Sequence, residues 1–175
     1  WLISAIDTAI KHNPDDDWTV RDKAKLLIKS GKKEDAVKVY EDLVFKLGDK
    51  YYVWQEFSDC IDDTNAKIGM LCKAISMEKN EDFIGNIRLS LAECLLNEGL
   101  KAEACHELEL YKANYEAKGW KVKARYEALQ SKCEGVTAVN DNKGLYQKYI
   151  PVAEEYAYSS IPVYELLIID DWKDN

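Results

Sequence analysis

A chain of 175 residues, 47% of them hydrophobic, with 8 Gly and only 3 Pro, can bury one compact core and is not linker-rich. Its 32 acidic residues against 24 basic ones, a formal net charge of -8, argue against a polyanion such as nucleic acid as the partner. No apolar run approaches the roughly 20 residues that a membrane helix needs, and Trp1 begins inside an amphipathic pattern without the basic and apolar leader of a secretory signal.

In chain order, AIDTAIKHNPDD (5–16) reads as the end of a helical unit. Asp15, Asp16 and Asp17 precede a helix beginning near Trp18, where carboxylates cap free N–H groups and suit the positive end of the helix dipole. Amphipathic runs built from Ala, Leu, Glu and Lys follow, with Gly48 and Gly119 as helix stops. The stretch Trp120 to Cys133 reads as a last helix capping the preceding ones, because the GVTAVNDNKG that follows it cannot be helical. Leu145, Tyr149, Val152 and Tyr156 predict one further helix, which Pro151 is expected to kink or to restart at Ile150. After Ser159 and Ser160 comes IPVYELLIIDDW, apolar and β-branched at strand density. These readings divide the chain into helical units with a cap over 1–134, an additional helix over 135–160 and a strand-like tail over 161–175, which could open a further domain.

The helical part repeats itself. Ala24, Leu27, Gly31, Ala36, Tyr40 and Leu43 correspond to Ala92, Leu95, Gly99, Ala104, Leu108 and Tyr111, each 68 residues later. Half that offset, 34, lands on Ser58, Ile61, Asn65, Met70, Ala74 and Met77, a middle copy of small or apolar residues with one cap-tolerant Asn. The small residues Ala24, Ser58 and Ala92 are expected where a second helix, entering through Ala36, Met70 or Ala104, crosses closely. Such pairs cannot bury their apolar faces alone and must stack on their neighbours.

The period, together with W54-QE-F57-S58-DC-I61, A36-VKV-Y40-ED-L43, A104-CHE-L108-EL-Y111 and A9-IKHN-P14, resembles the tetratricopeptide repeat family over residues 1 to about 133. The middle copy departs from that pattern at Met70 and Ala74, and Tyr126 stands where the last helix should carry a small residue. The resemblance implies an all-α, right-handed superhelical solenoid of antiparallel helix pairs. It also implies that the first helix of each pair lines a concave groove. By that register the groove carries Trp18, Arg21, Lys25 and Lys29, then Tyr52, Gln55, Asp59 and Asp62, then Asn86, Leu89, Glu93 and Leu96, and finally Trp120, Lys123 and Glu127.

Chemical motifs are sparse. Cys60, Cys72, Cys94, Cys105 and Cys133 form no CxxC pair and are read as packing thiols, which points to the reducing cytoplasm. His12 and His106, the only histidines, have no zinc-helix spacing, so neither a metal nor a cofactor is expected. No phosphate loop or nucleophile elbow is present, and the chain is expected not to be an enzyme.

The function these observations favour is a non-catalytic scaffold for a protein or peptide; the alternative is a regulatory or sensory segment of a larger multidomain enzyme. Family members that clamp a C-terminal carboxylate use Lys and Asn on the inner helices, and Asp59 here opposes such a ligand. Arg21, Lys25 and Lys29 lie four apart beside Trp18 and make one basic stripe. It is expected to be a partly exposed surface for an acidic segment, removable without loss of stability.

Overall fold

The computed structural model describes residues 2–162. Nine α-helices are present among them: α1 (Leu2–His12), α2 (Asp17–Lys29), α3 (Lys33–Leu47), α4 (Tyr51–Ser58), α5 (Thr64–Met77), α6 (Glu81–Asn97), α7 (Lys101–Ala117), α8 (Ala124–Gln130) and α9 (Lys143–Ala157). No strand occurs among the described residues, so the all-α expectation is met there. The strand-like tail lies outside them except for Ile161 and Pro162.

Local chemistry sets the helix ends. Asp16 accepts from the N–H groups of Trp18 and Thr19 at the start of α2. Asp63 accepts from Ala66 before α5, and Asn80 from Asp82 before α6, so side-chain oxygens satisfy N–H groups that have no partner inside the helix. Gly31 and Gly99, equivalent in the repeat, both take φ in the left-handed region, at 74° and 77°. That turn lets Lys32 N–H reach back to Leu27 O and Leu100 N–H to Leu95 O, each at 2.9 Å. The expected stops also stand: α3 ends before Gly48 and α7 before Gly119.

Helices α1 to α7 pack mainly on their sequence neighbours, pairing α2 with α3, α4 with α5 and α6 with α7. Ala24, Ser58, Ala92, Ala36, Met70 and Ala104 are all buried at these crossings. Around them lie Trp54, Tyr40, Phe57, Leu91 and Tyr111, each almost wholly removed from water. A fully buried apolar side chain of this kind contributes roughly 1.5–3 kcal/mol relative to exposure. The last helix is shorter than expected, since Trp120 to Lys123 lead into α8 and a single 3-10 turn, Ser131–Cys133, follows it.

Helix α9 breaks the pattern of neighbour-only packing. It returns from the end of the array and lies along α5, its main contact. The approach is close because α5 carries Gly69 opposite α9: a Cβ there would collide with the Tyr149 carbonyl oxygen and stand 2.9 Å from the Ala153 Cβ. Lys73 on α5 pairs with Glu154 at 2.7 Å, and the rings of Tyr156 and Tyr158 meet Phe57 and Trp54 edge-on. Tyr149, Ala153 and Ala157 thus join the same core as the repeats.

Pro151 lies inside α9, which runs unbroken from Lys143 to Ala157, so the expected restart at Ile150 does not occur. The missing N–H would have bonded to Gln147, and both residues are exposed, leaving that carbonyl open to water.

Candidate functional site

The residues expected on the inner helices fall into two groups. At the start of α2 and α4, the rings of Trp18 and Tyr52 stack with centroids 6.2 Å apart. The Arg21 guanidinium lies over both, 4.5 Å from the Trp18 centroid and 4.0 Å from that of Tyr52. Trp18 itself is 66% exposed.

Arg21 is not the solvent-facing cation that the repeat register implied. Only 6% of its side chain is accessible, and its Nε and Nη2 donate to the two oxygens of Glu56 at 3.1 and 2.7 Å. Lys25 reaches the same Glu56 Oε1 at 2.9 Å, and the Tyr40 hydroxyl stands 3.5 Å from Oε2. Burial works against the charge of Arg21, but Glu56 outweighs it and raises the guanidinium pKa above its ordinary value. Burial, and then Glu56, raise the Tyr40 hydroxyl likewise. Two cations of the basic stripe are therefore committed to one carboxylate. Lys29, exposed at the end of α2, makes no ion pair among the described residues.

On the neighbouring units, Gln55 is half-buried, and Asp59 is exposed at the end of α4. Protein crowded around the Asp59 carboxyl raises its pKa, with Lys67 opposing and Glu56 adding to the shift. The second group bridges α6 and α8. Asn86 Oδ1 accepts from Lys123 Nζ at 2.6 Å, and Glu93 pairs with Arg125 at 2.5 Å. Leu89, placed in the groove by the same register, is buried. No hydrogen bond or ion pair among the described residues joins the two groups.

A second buried charge cluster had no counterpart in the sequence reading. Arg88 on α6 donates from Nε and Nη2 to Glu81 at 2.9 and 2.7 Å and from Nη1 to Glu107 of α7. Glu107 is inaccessible and also accepts from Asn142 Nδ2 at 2.8 Å and from the Tyr146 hydroxyl at 2.9 Å. Burial, then the Glu107 charge, push the Tyr146 hydroxyl pKa up. Each nitrogen of Arg88 and each carboxylate oxygen of Glu107 has a partner, which is the condition under which buried charge is tolerated, while Asn142 Oδ1 beside them is buried without one.

The cysteines behave as packing residues. Cys60, Cys72, Cys105 and Cys133 are buried, and burial pushes the Cys60 thiol up to about 12. No group of three or more His, Cys, Asp or Glu among the described residues could hold a metal ion. None of the described helices is long and apolar enough to cross a membrane.

A family model matches residues 17–153, from the first residue of α2 into α9, and its description is a domain of unknown function (DUF7017). The chain belongs to the DUF7017 family. Comparison with curated proteins and with solved structures gave no match. The DUF7017 region takes in both charge clusters and the Trp18–Tyr52 stack, whereas α1 and the last turn of α9 fall outside it.

Proposed function

We propose that this DUF7017 chain is a non-catalytic interaction module that holds a segment of another protein along its inner helices. In this reading the helix pairs form a right-handed, tetratricopeptide-like superhelix, with α2, α4, α6 and α8 on the concave side. The observation that carries it is a row on successive units: Trp18, Tyr52 and Asn86, 34 residues apart, followed at the same interval by Trp120. Trp18 and Tyr52 stack between helices and Trp18 and Trp120 remain exposed, so adjacent units share one surface rather than each presenting its own. Free cysteines fit a cytoplasmic setting.

An acidic stretch of the partner lies over Lys29 and the outer side of Lys25. Arg21 serves to fix the aromatic platform, so its exchange for Glu lowers stability, unlike loss of a solvated stripe, because it places two carboxylates together in a largely buried site. The test is site-specific photo-crosslinking with the full-length protein in its own cells. A photo-reactive residue at Trp18 or Lys29 is expected to capture one partner set that the same group at Lys38, exposed on α3, does not capture. Equal capture from Lys38, or none from either inner position, overturns the proposal.

A further inference from the structure

Between α1, α2 and α3 lies a groove of about 470 Å³, lined among the described residues by those three helices and by Pro14. Its apolar wall includes Ile10, Val20 and Val39, and Phe45 beside them is 70% exposed. The charged residues that line it, Lys23 and Lys46 with Asp17 and Asp42, cancel, so an occupant is selected by its apolar side chains.

The internal repeat shows what such a groove holds. Adding 34 to Pro14, Val20, Lys23 and Val39 gives Gly48, Trp54, Phe57 and Lys73, and these are the residues on which the end of α9 rests. The Tyr158 hydroxyl stands 3.0 Å from where a Cβ on Gly48 would lie, and its ring meets Trp54 edge-on at 6.1 Å. Tyr156 meets Phe57 edge-on at 6.1 Å, and Glu154 pairs with Lys73 at 2.7 Å. The groove beside α1 is therefore the seat of α9 repeated one unit earlier. Trp54 and Phe57 are fully buried in their seat, whereas Val20, at the Trp54 position, remains partly exposed.

Helix α9 also aims the chain at this groove. Its start is tied to α7 by Asn142, which donates to the Glu103 carbonyl at 3.1 Å, and its end reaches Gly48 at the close of α3. It thus crosses the units in reverse order, toward α1. Helix axes pack about 8–10 Å apart, so a seat one helix pair away lies within roughly 20 Å. About six extended residues span that distance. Tyr164 stands six residues after Tyr158, and the sequence there reads VYELLII (163–169), in which Glu165 is the single charge.

We propose that the 163–169 run of this chain is the occupant of the α1–α3 groove. It continues the line of α9 by one unit, covers Val20, Val39 and Phe45 as Tyr158 and Tyr156 cover Trp54 and Phe57, and withdraws an apolar surface from other proteins. This inference does not rest on the interaction-module reading.

The test places a benzophenone side chain at Phe45 of the 175-residue chain, where exposure leaves room for it. A mixture of isotope-labelled and unlabelled chains is irradiated, digested and read by mass spectrometry. The expected product joins position 45 to the 163–169 run, both peptides carrying the same label. The same group at Phe83, exposed on α6, is expected not to reach that run. Leu167→Asp/Ile169→Asp, which alters no described residue, should lower the yield at least about ten-fold at unchanged helicity. Mixed-label products, which would put a second copy's run in the groove, overturn the proposal, as does a yield untouched by the double substitution or the absence of any product with 163–169.

Discussion

Arg21 and Arg88 are each buried and each bidentate to a glutamate, yet the first site sets two cations, Arg21 and Lys25, around one carboxylate, and the second sets one cation between two carboxylates. Around Arg88 all three guanidinium nitrogens are used and Glu107 is shared with Asn142 and Tyr146, and the atom left without a partner is an acceptor, Asn142 Oδ1. Around Arg21 the atom left without a partner is a buried donor, Nη1, and Glu56 keeps 15% of its side chain in water. Both networks hold helices together, but the second shuts Glu107 off from water while the first keeps the edge of its carboxylate wet.

The sharpest way to break the comparison is to remove each glutamate. Glu107→Ala strands Arg88 Nη1, Asn142 and Tyr146 in a dry site and is expected to cost about 3–5 kcal/mol. Glu56→Ala leaves Arg21 and Lys25 facing each other without their shared carboxylate, but at a site partly open to water, and is expected to cost less, about 2–3 kcal/mol. Urea unfolding followed by circular dichroism measures both, and equal losses would mean that the two sites do the same work.

Gly69→Ala tests the α9 side without touching a charge. The added Cβ must push α9 off α5, which is expected to cost about 2–3 kcal/mol by overpacking. Limited proteolysis should then cut within α9 first, while the Trp18–Tyr52 contact survives.

The smallest effect separates the two tyrosines. Tyr146→Phe removes a 2.9 Å hydrogen bond to a buried carboxylate and is expected to cost about 1.5 kcal/mol. Tyr40→Phe removes only a 3.5 Å contact and should cost less than about 0.5 kcal/mol. Both hydroxyls have folded pKa values raised by burial, so the stability they contribute is fully present below the unfolded pKa of about 10 and is lost as pH rises toward the folded values. An alkaline titration of stability should thus fall above pH about 10, less steeply in either variant.

Much of the helical framework was legible. Apolar residues at helical spacing and the recurrence of Ala24, Ser58 and Ala92 located the pairs, because close crossings exclude large side chains. The fate of Arg21 is less plain, although the signal lies in the same period: Arg21 meets Glu56 at 35 residues' separation, Arg125 meets Glu93 at 32, and Lys118 meets Asp82 at 36. An unlike charge about one repeat away is a partner on the next unit before it is a ligand site. The placement of α9 also left a trace. Ile68, Met70, Leu71, Cys72, Ala74 and Ile75 are buried all round α5, and a helix with no polar face needs cover on a second side. Glu107 is not legible as buried, because a carboxylate beside His106 on an otherwise amphipathic helix reads as surface when its partners, Arg88 and Tyr146, come from other helices.

The return of α9 to the middle of the array alters how the molecule can come apart. In a stack held only by nearest neighbours, terminal units fray independently and protection against hydrogen exchange declines toward the ends. Here Lys73 and Glu154 are joined across 81 residues, and Asn142 is tied to the backbone of Glu103. Units α4–α5 and α6–α7 therefore cannot open without releasing α9. Their slowest amides should exchange together in a single cooperative event, while those of α1 and the exposed first turn of α2 exchange through smaller openings of their own.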